Sequence, residues 1–150
     1  MAGVGFTAQS GSVALTASTA KTIVQLVAAT NTRALIRKID VSSDGITPTD
    51  PGIQIDILVQ SSAGTMSALT PIKLCSSDSE TLQTTAQKTA TGEPTAGNIL
   101  WTGFYNEQSW IPLYLDPPIP VVGGTRIGIR ATPGTLTATT HIGVTATCEE

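Results

Sequence analysis

The chain has 150 residues, enough for one domain that removes roughly 70% of its unfolded surface from water and folds without metals or disulfides. Only 13% of the residues are charged, with a formal net charge of −3, so no basic field exists to hold nucleic acid by counterion release. No apolar run approaches the roughly 20 residues of a membrane span, and Thr, Ser, Ala and Gly fill the place of charge, a composition that favours strands, turns and surfaces packed on protein.

The opening "MAGVGFTAQSGS" lacks the basic and apolar regions of a signal peptide. Residues 1–11 read as an N-terminal arm in which Val4 and Phe6 are available to dock into a partner. Two short apolar runs follow, "GSVALTA" (11–17) and "TIVQLVAA" (22–29), joined by a turn at 18–21. In "ALIRKIDVSS" (34–43) the apolar positions change parity, which suggests a bulge or a strand covered on both sides. Asp44-Gly45 and "TPTDPG" (47–52) form a turn and loop. "IQIDILVQS" (53–61) alternates cleanly, as a strand with one face on the core does. Pro71 demotes "SALTPIKL" (67–74) to an edge or broken strand.

The stretch from about 75 to 98 then reads as a long loop. Structureless loops of more than about 12 to 15 residues are usually lids, binding loops or segments ordered by a partner. Leu82, Gln83, Thr84, Thr85, Gln87, Thr89, Glu93, Pro94 and Thr95 offer hydrogen bonding with little charge to desolvate. They are therefore candidate contacts with a neighbouring subunit. Four strands complete the chain: "ILWTGFY" (99–105), "SWIPLYL" (109–115), "RIGIRAT" (126–132) and "TATTHIGVTAT" (137–147), with turns at Gly123-Gly124 and Pro133-Gly134. Trp110 and Tyr114 stand beside several prolines, so their segment belongs at an edge or sheet end, as core filling or as interface anchors. No sustained helical period occurs. The expected fold is all-β, a single antiparallel sandwich of about eight strands, jelly-roll-like. The cysteines are too far apart for an immunoglobulin pattern.

Catalytic groups are few. His141 is the only histidine, sits in a strand, and has no nucleophile elbow to serve. His141, Cys75 and Cys148 lack zinc-site spacing and a fourth ligand, and the two thiols read as unpaired and buried. Glu80, Glu93, Glu107, Asp116, Glu149 and Glu150 are scattered, and aromatic content is 4%, which disfavours a glycosidase. "SSDSE" (76–80) lacks the acidic density and glycine of a calcium loop. Gly123-Gly124-Thr125 precedes a strand and is no phosphate loop. The residues point to an interaction protein without catalysis, metal or cofactor.

The succession "LTASTAKTIVQLVAATNTRALIRKIDVSSDG", "ILVQSSAGTMSALTPIKL", "TATGEPTAG", the Gly-Gly-Thr-Arg-Ile-Gly-Ile-Arg turn and strand, and a last strand ending in Glu-Glu resembles the capsid decoration, or cement, proteins of tailed bacteriophages. The resemblance is one of pattern over nearly the whole chain. It implies a jelly-roll or related domain that trimerises on the outer shell, bridges major capsid subunits, and assembles onto the virion in the host cytoplasm. Its partners would be the major capsid protein and itself, with no nucleic acid or membrane. On that basis 82–98 reaches a neighbour and is mobile in a free monomer. The alternatives are a tail, neck or fibre component, and a carbohydrate-binding sandwich with Trp101, Trp110 or Tyr114 exposed in a row.

Overall fold

In the computed structural model, which describes residues 3–46, 50–106 and 108–150, the strands are β1 (Gly5–Gln9), β2 (Val13–Ala14), β3 (Lys21–Val27), β4 (Ala34–Ser43), β5 (Ile53–Gln60) and β6 (Thr65–Leu69). They continue with β7 (Ile72–Lys73), β8 (Thr85–Gly92), β9 (Ala96–Tyr105), β10 (Trp110–Val121), β11 (Arg126–Thr132) and β12 (His141–Glu149). Residues 1–2 of the expected arm, 47–49 of the expected loop, and Glu107 lie outside the described residues.

Two antiparallel six-stranded sheets form an open sandwich. One runs β10-β4-β12-β1-β7, with β2 also on β12; the other runs β6-β8-β3-β11-β5-β9. Eight of these strands pair as a ribbon folded back on itself: β1 with β12, β3 with β11, β4 with β10, and β5 with β9. First pairs with last, second with seventh, third with sixth and fourth with fifth, which is the jelly-roll winding. The total is twelve strands rather than eight because β2 and the segment carrying β6, β7 and β8 add to this ribbon.

The alternation predicted for 53–61 places Ile53, Ile55 and Ile57 in the core, and β12 does the same with Ile142, Val144, Ala146 and Cys148. Phe6, Ile23, Leu26, Ile36, Ile39 and Ile129 complete its centre, each fully buried aliphatic or aromatic side chain contributing about 1.5–3 kcal/mol. In β4 the parity change is a bulge. Ile36 faces Cys148 and Lys38 faces Thr147, so Arg37 has no opposite residue and the inward positions switch from Ala34 and Ile36 to Ile39 and Val41. Pro71 cuts its segment in two, leaving β6 on the edge of one sheet and β7 on the edge of the other.

Two expectations change. The arm contains a strand: β1 pairs with β12 along its whole length, Val4 exchanges backbone hydrogen bonds with Glu150, and Val4 and Phe6 are buried. The 75–98 segment is not one loop either, because β8 lies between β3 and β6 and β9 begins at Ala96. Its ordering comes from its own domain. Glu150 accepts the Gln83 and Thr84 N–H groups at 2.9 and 2.6 Å, Glu93 binds Thr22, and Thr95 is tied to Ser61 and Ser62.

Candidate functional site

The outer face of the β3-β11-β5 region is unusual in being polar and buried. Gln25 Nε2 donates to Gln60 Oε1 at 2.7 Å and to the Ser62 carbonyl at 3.1 Å, and Gln60 Nε2 donates to Thr22 Oγ1 at 2.8 Å. Thr22 Oγ1 in turn donates to Glu93. Gly128 permits this arrangement, since a Cβ there would overlap the Gln60 amide. Beside it, burial pushes the Asp56 carboxyl up, but hydrogen bonds from Thr102, Gln54 and Arg130 outweigh it and hold the group below its usual range. Arg130 closes the ion pair at 2.9 Å. Most of the polar groups here are turned toward one another, while Gln25 Oε1 and the Nε atoms of Arg126 and Arg130 are buried without a hydrogen-bond partner.

At the margin of the sandwich, β9, next to β5, and β10 are consecutive and end the two sheets. Their inward residues Trp101, Ile111 and Leu113 leave an apolar cleft of about 30 Å³ between the sheets, and the Trp101 ring lies across Gly103, where any Cβ would meet it. Outward, β9 presents Ile99, Leu100 and Phe104, the last 72% exposed. The register against β5 explains the first two: Ile57 faces Trp101 and Leu58 faces Ile99, so Leu100 is the extra residue of a bulge. The edge strand "AGNILWTGFY" is ten residues long and carries no charge. Natural sheet edges are commonly blunted by charges, prolines or bulges; β10 has Pro112, Pro117, Pro118 and Pro120, whereas β9 has register shifts against β5 around Leu58 but no charge and no proline.

The outer face of β10 holds the two remaining large exposed aromatics. Trp110 is opposite Ser42 and Tyr114 opposite Lys38, and the Lys38 ammonium lies 5.2 Å from the Tyr114 ring centroid. A hydrogen bond from Lys38 to Asp40 raises the lysine pKa. Next to Trp110 the sheet face sinks into an open concavity of about 460 Å³ that also meets Asp40, Asp44 and His141. Asp44 accepts the His141 backbone N–H at 2.6 Å and faces its Nδ1 at 3.0 Å. The backbone hydrogen bond is the main cause of a lowered Asp44 pKa.

The residues expected at an interface therefore divide. Val4, Phe6, Thr84 and Pro94 are buried in the folded chain; Leu82, Gln87 and Thr89 are half-buried; Gln83, Thr85, Glu93, Thr95, Trp110 and Tyr114 are exposed. Glu93 is nonetheless engaged with Thr22. Sequence reasoning placed Ile99, Leu100 and Phe104 in a strand and missed their outward aim, which depends on the bulge and on β9 being an edge. The two thiols are free, but only Cys148 is buried; Cys75 is exposed. No group of three or more potential metal ligands occurs among the described residues.

No family model matches the chain, and no curated protein is significantly similar to it. Among solved structures, VP17, a capsid protein of bacteriophage P23-77, aligns over 99% of this chain and 98% of its own at 10% identity, with a TM-score of 0.17. That is a weak structural similarity and carries no functional argument.

Proposed function

We propose that the protein is a non-enzymatic virion structural protein that binds the outside of an assembled capsid, bridges major capsid subunits and associates with itself, as a trimer. The observation that carries the reading is β9, a charge-free edge strand that pairs with β5 on one side only and exposes Ile99, Leu100 and Phe104. Such an edge offers backbone N–H and C=O groups and apolar side chains together, and left uncovered it is an association site. The virion assignment comes from the pattern resemblance of the sequence to phage decoration proteins. Because 82–95 is bound into its own domain, the proposed contact lies at β9 instead.

No chemistry is needed for such a role. A protein that binds the assembled shell and not its dissociated parts stabilises the shell by mass action, by about 2.7 kcal/mol per site at a free concentration one hundred times Kd. The reading includes no cofactor, nucleic acid or membrane.

Light scattering and co-sedimentation with empty phage capsids test it. The expected result is a trimer that sediments with capsids and raises their melting temperature, while Phe104→Asp and Ile99→Asp variants stay folded and lose both properties. A monomer indifferent to capsids, or variants that still assemble, would overturn the reading.

A further inference from the structure

We infer that the concavity beside Trp110 is a binding site for a neutral sugar. The site lies on the outer face of the β10-β4-β12-β1 sheet and is independent of the β9 edge. Its floor is made by the register: Trp110 is opposite Ser42, and Ser42 is opposite Gly143. A Cβ on Gly143 would have only the Ser42 hydroxyl at 3.3 Å and the Gly11 carbonyl at 3.6 Å near it. Two small residues on adjacent strands, Ser42 and Gly143, with Gly11 beside them in the β1-β2 connection, thus leave the sheet bare, with strands about 4.8 Å apart. Trp110 forms a wall at one end of this floor. Its indole is 61% exposed and so adds little to the core.

The chemistry of the lining selects the ligand. Asp40, Asp44, Gln9 and His141 border the floor, and neither lysine nor arginine lines the concavity. A phosphate or an acidic sugar would meet two carboxylates, and the neighbouring ammonium of Lys38, outside the lining, is already paired with Asp40 at 2.8 Å. A purely apolar molecule would cover those polar groups without satisfying them. A pyranose has what the site asks for, an apolar C–H face for the indole and a rim of hydroxyls that donate to carboxylate and amide oxygens. Tyr114 lies four residues along the same strand, about 14 Å away, and Lys38 lies over its ring. Tyr114 does not line the concavity, so Trp110 is its one stacking platform.

The test is calorimetric titration of the intact protein with neutral oligosaccharides of four to six glucose, mannose, galactose or xylose units, with tryptophan emission as a second readout. At least one of these series is expected to bind with a Kd below about 1 mM. Trp110→Ala should weaken that binding at least about tenfold by removing the stacking face. Gly143→Val should do the same by filling the floor, in a strand that accepts a β-branched residue. Melting temperature and self-association should stay at wild-type values in both variants, which separates this site from the β9 contact. Absence of binding to every series at about ten times that concentration would overturn the inference. So would retained affinity in either variant, or tighter binding of sialylated than of neutral chains.

Discussion

The Glu93 carboxylate grips Thr22 with both oxygens, one taking the backbone N–H at 2.7 Å and the other the side-chain hydroxyl at 2.8 Å. The grip joins the β8-β9 turn to the first residues of β3. Glu93→Ala removes two charge-assisted bonds at once and is expected to lower stability by about 1–3 kcal/mol. Urea unfolding gives the magnitude. Faster hydrogen exchange at the Thr22 amide gives the location, and an unchanged exchange rate there would show that the turn is held by other contacts.

With Gln83 and Thr84 bonded to Glu150 and β8 flanked by strands on both sides, residues 82–95 should resist limited proteolysis in the wild-type protein. Early cleavage within β8 by a broad-specificity protease, before any cut in β5 or β11, would contradict this placement.

The Asp56–Arg130 pair sets an acid limit. A carboxyl held below its unfolded value contributes stability that is complete above the unfolded pKa and disappears as pH falls through the folded pKa. The folded pKa of Asp56 is lowered, and that of Asp44 likewise. Melting temperature is therefore expected to fall below about pH 4. Asp56→Ala should cost about 3 kcal/mol at neutral pH, because Arg130 is left without its partner, and should flatten the acid limb of the profile. Equal acid sensitivity in wild type and variant would place the loss elsewhere.

The thiols should separate by accessibility. Cys75 is exposed, whereas burial pushes the Cys148 thiol up to about 12. A thiol reagent should titrate one group in the native protein and two in denaturant. Rapid reaction of both under native conditions would mean that β12 opens readily.

Gly128→Ala introduces a Cβ into space filled by the Gln60 amide, whose two hydrogen bonds fix it in place. The expected cost is about 1–3 kcal/mol. Combining it with Gln60→Ala should give less than the sum of the single effects, since the two changes share one site.

Alternation made β5 and β12 legible, and the displaced parity of "ALIRKIDVSS" announced the bulge at Arg37. Both signals are local. β1 was not legible because what makes it a strand is β12, at the other end of the ribbon. β8 was hidden for another reason: its buried residues are only Ala86 and Ala90, small enough to look like loop composition, and Thr89 has a φ of 54° that breaks the alternation. Asp56 and Gln60 fall on the face of β5 that alternation leaves away from the core, and their burial there depends on partners from other strands and turns, Arg130, Thr102, Gln25 and Thr22. The sugar-sized concavity depends on Gly143 and Ser42 meeting across strands, with Gly11 beside them, and no spacing along the chain encodes that meeting.

The folded-back ribbon also governs how the molecule comes together in time. Gly5 pairs with Glu149, and the other neighbour of β1 is the two-residue β7. During synthesis β1 must wait, nearly unpartnered, until β12 has been made. Contacts this distant in sequence make loop closure the slow step, so folding belongs in the millisecond-to-second range of high-contact-order β-proteins. Through that interval β1 is a solitary strand with Phe6 uncovered, the species most open to pairing with a second chain.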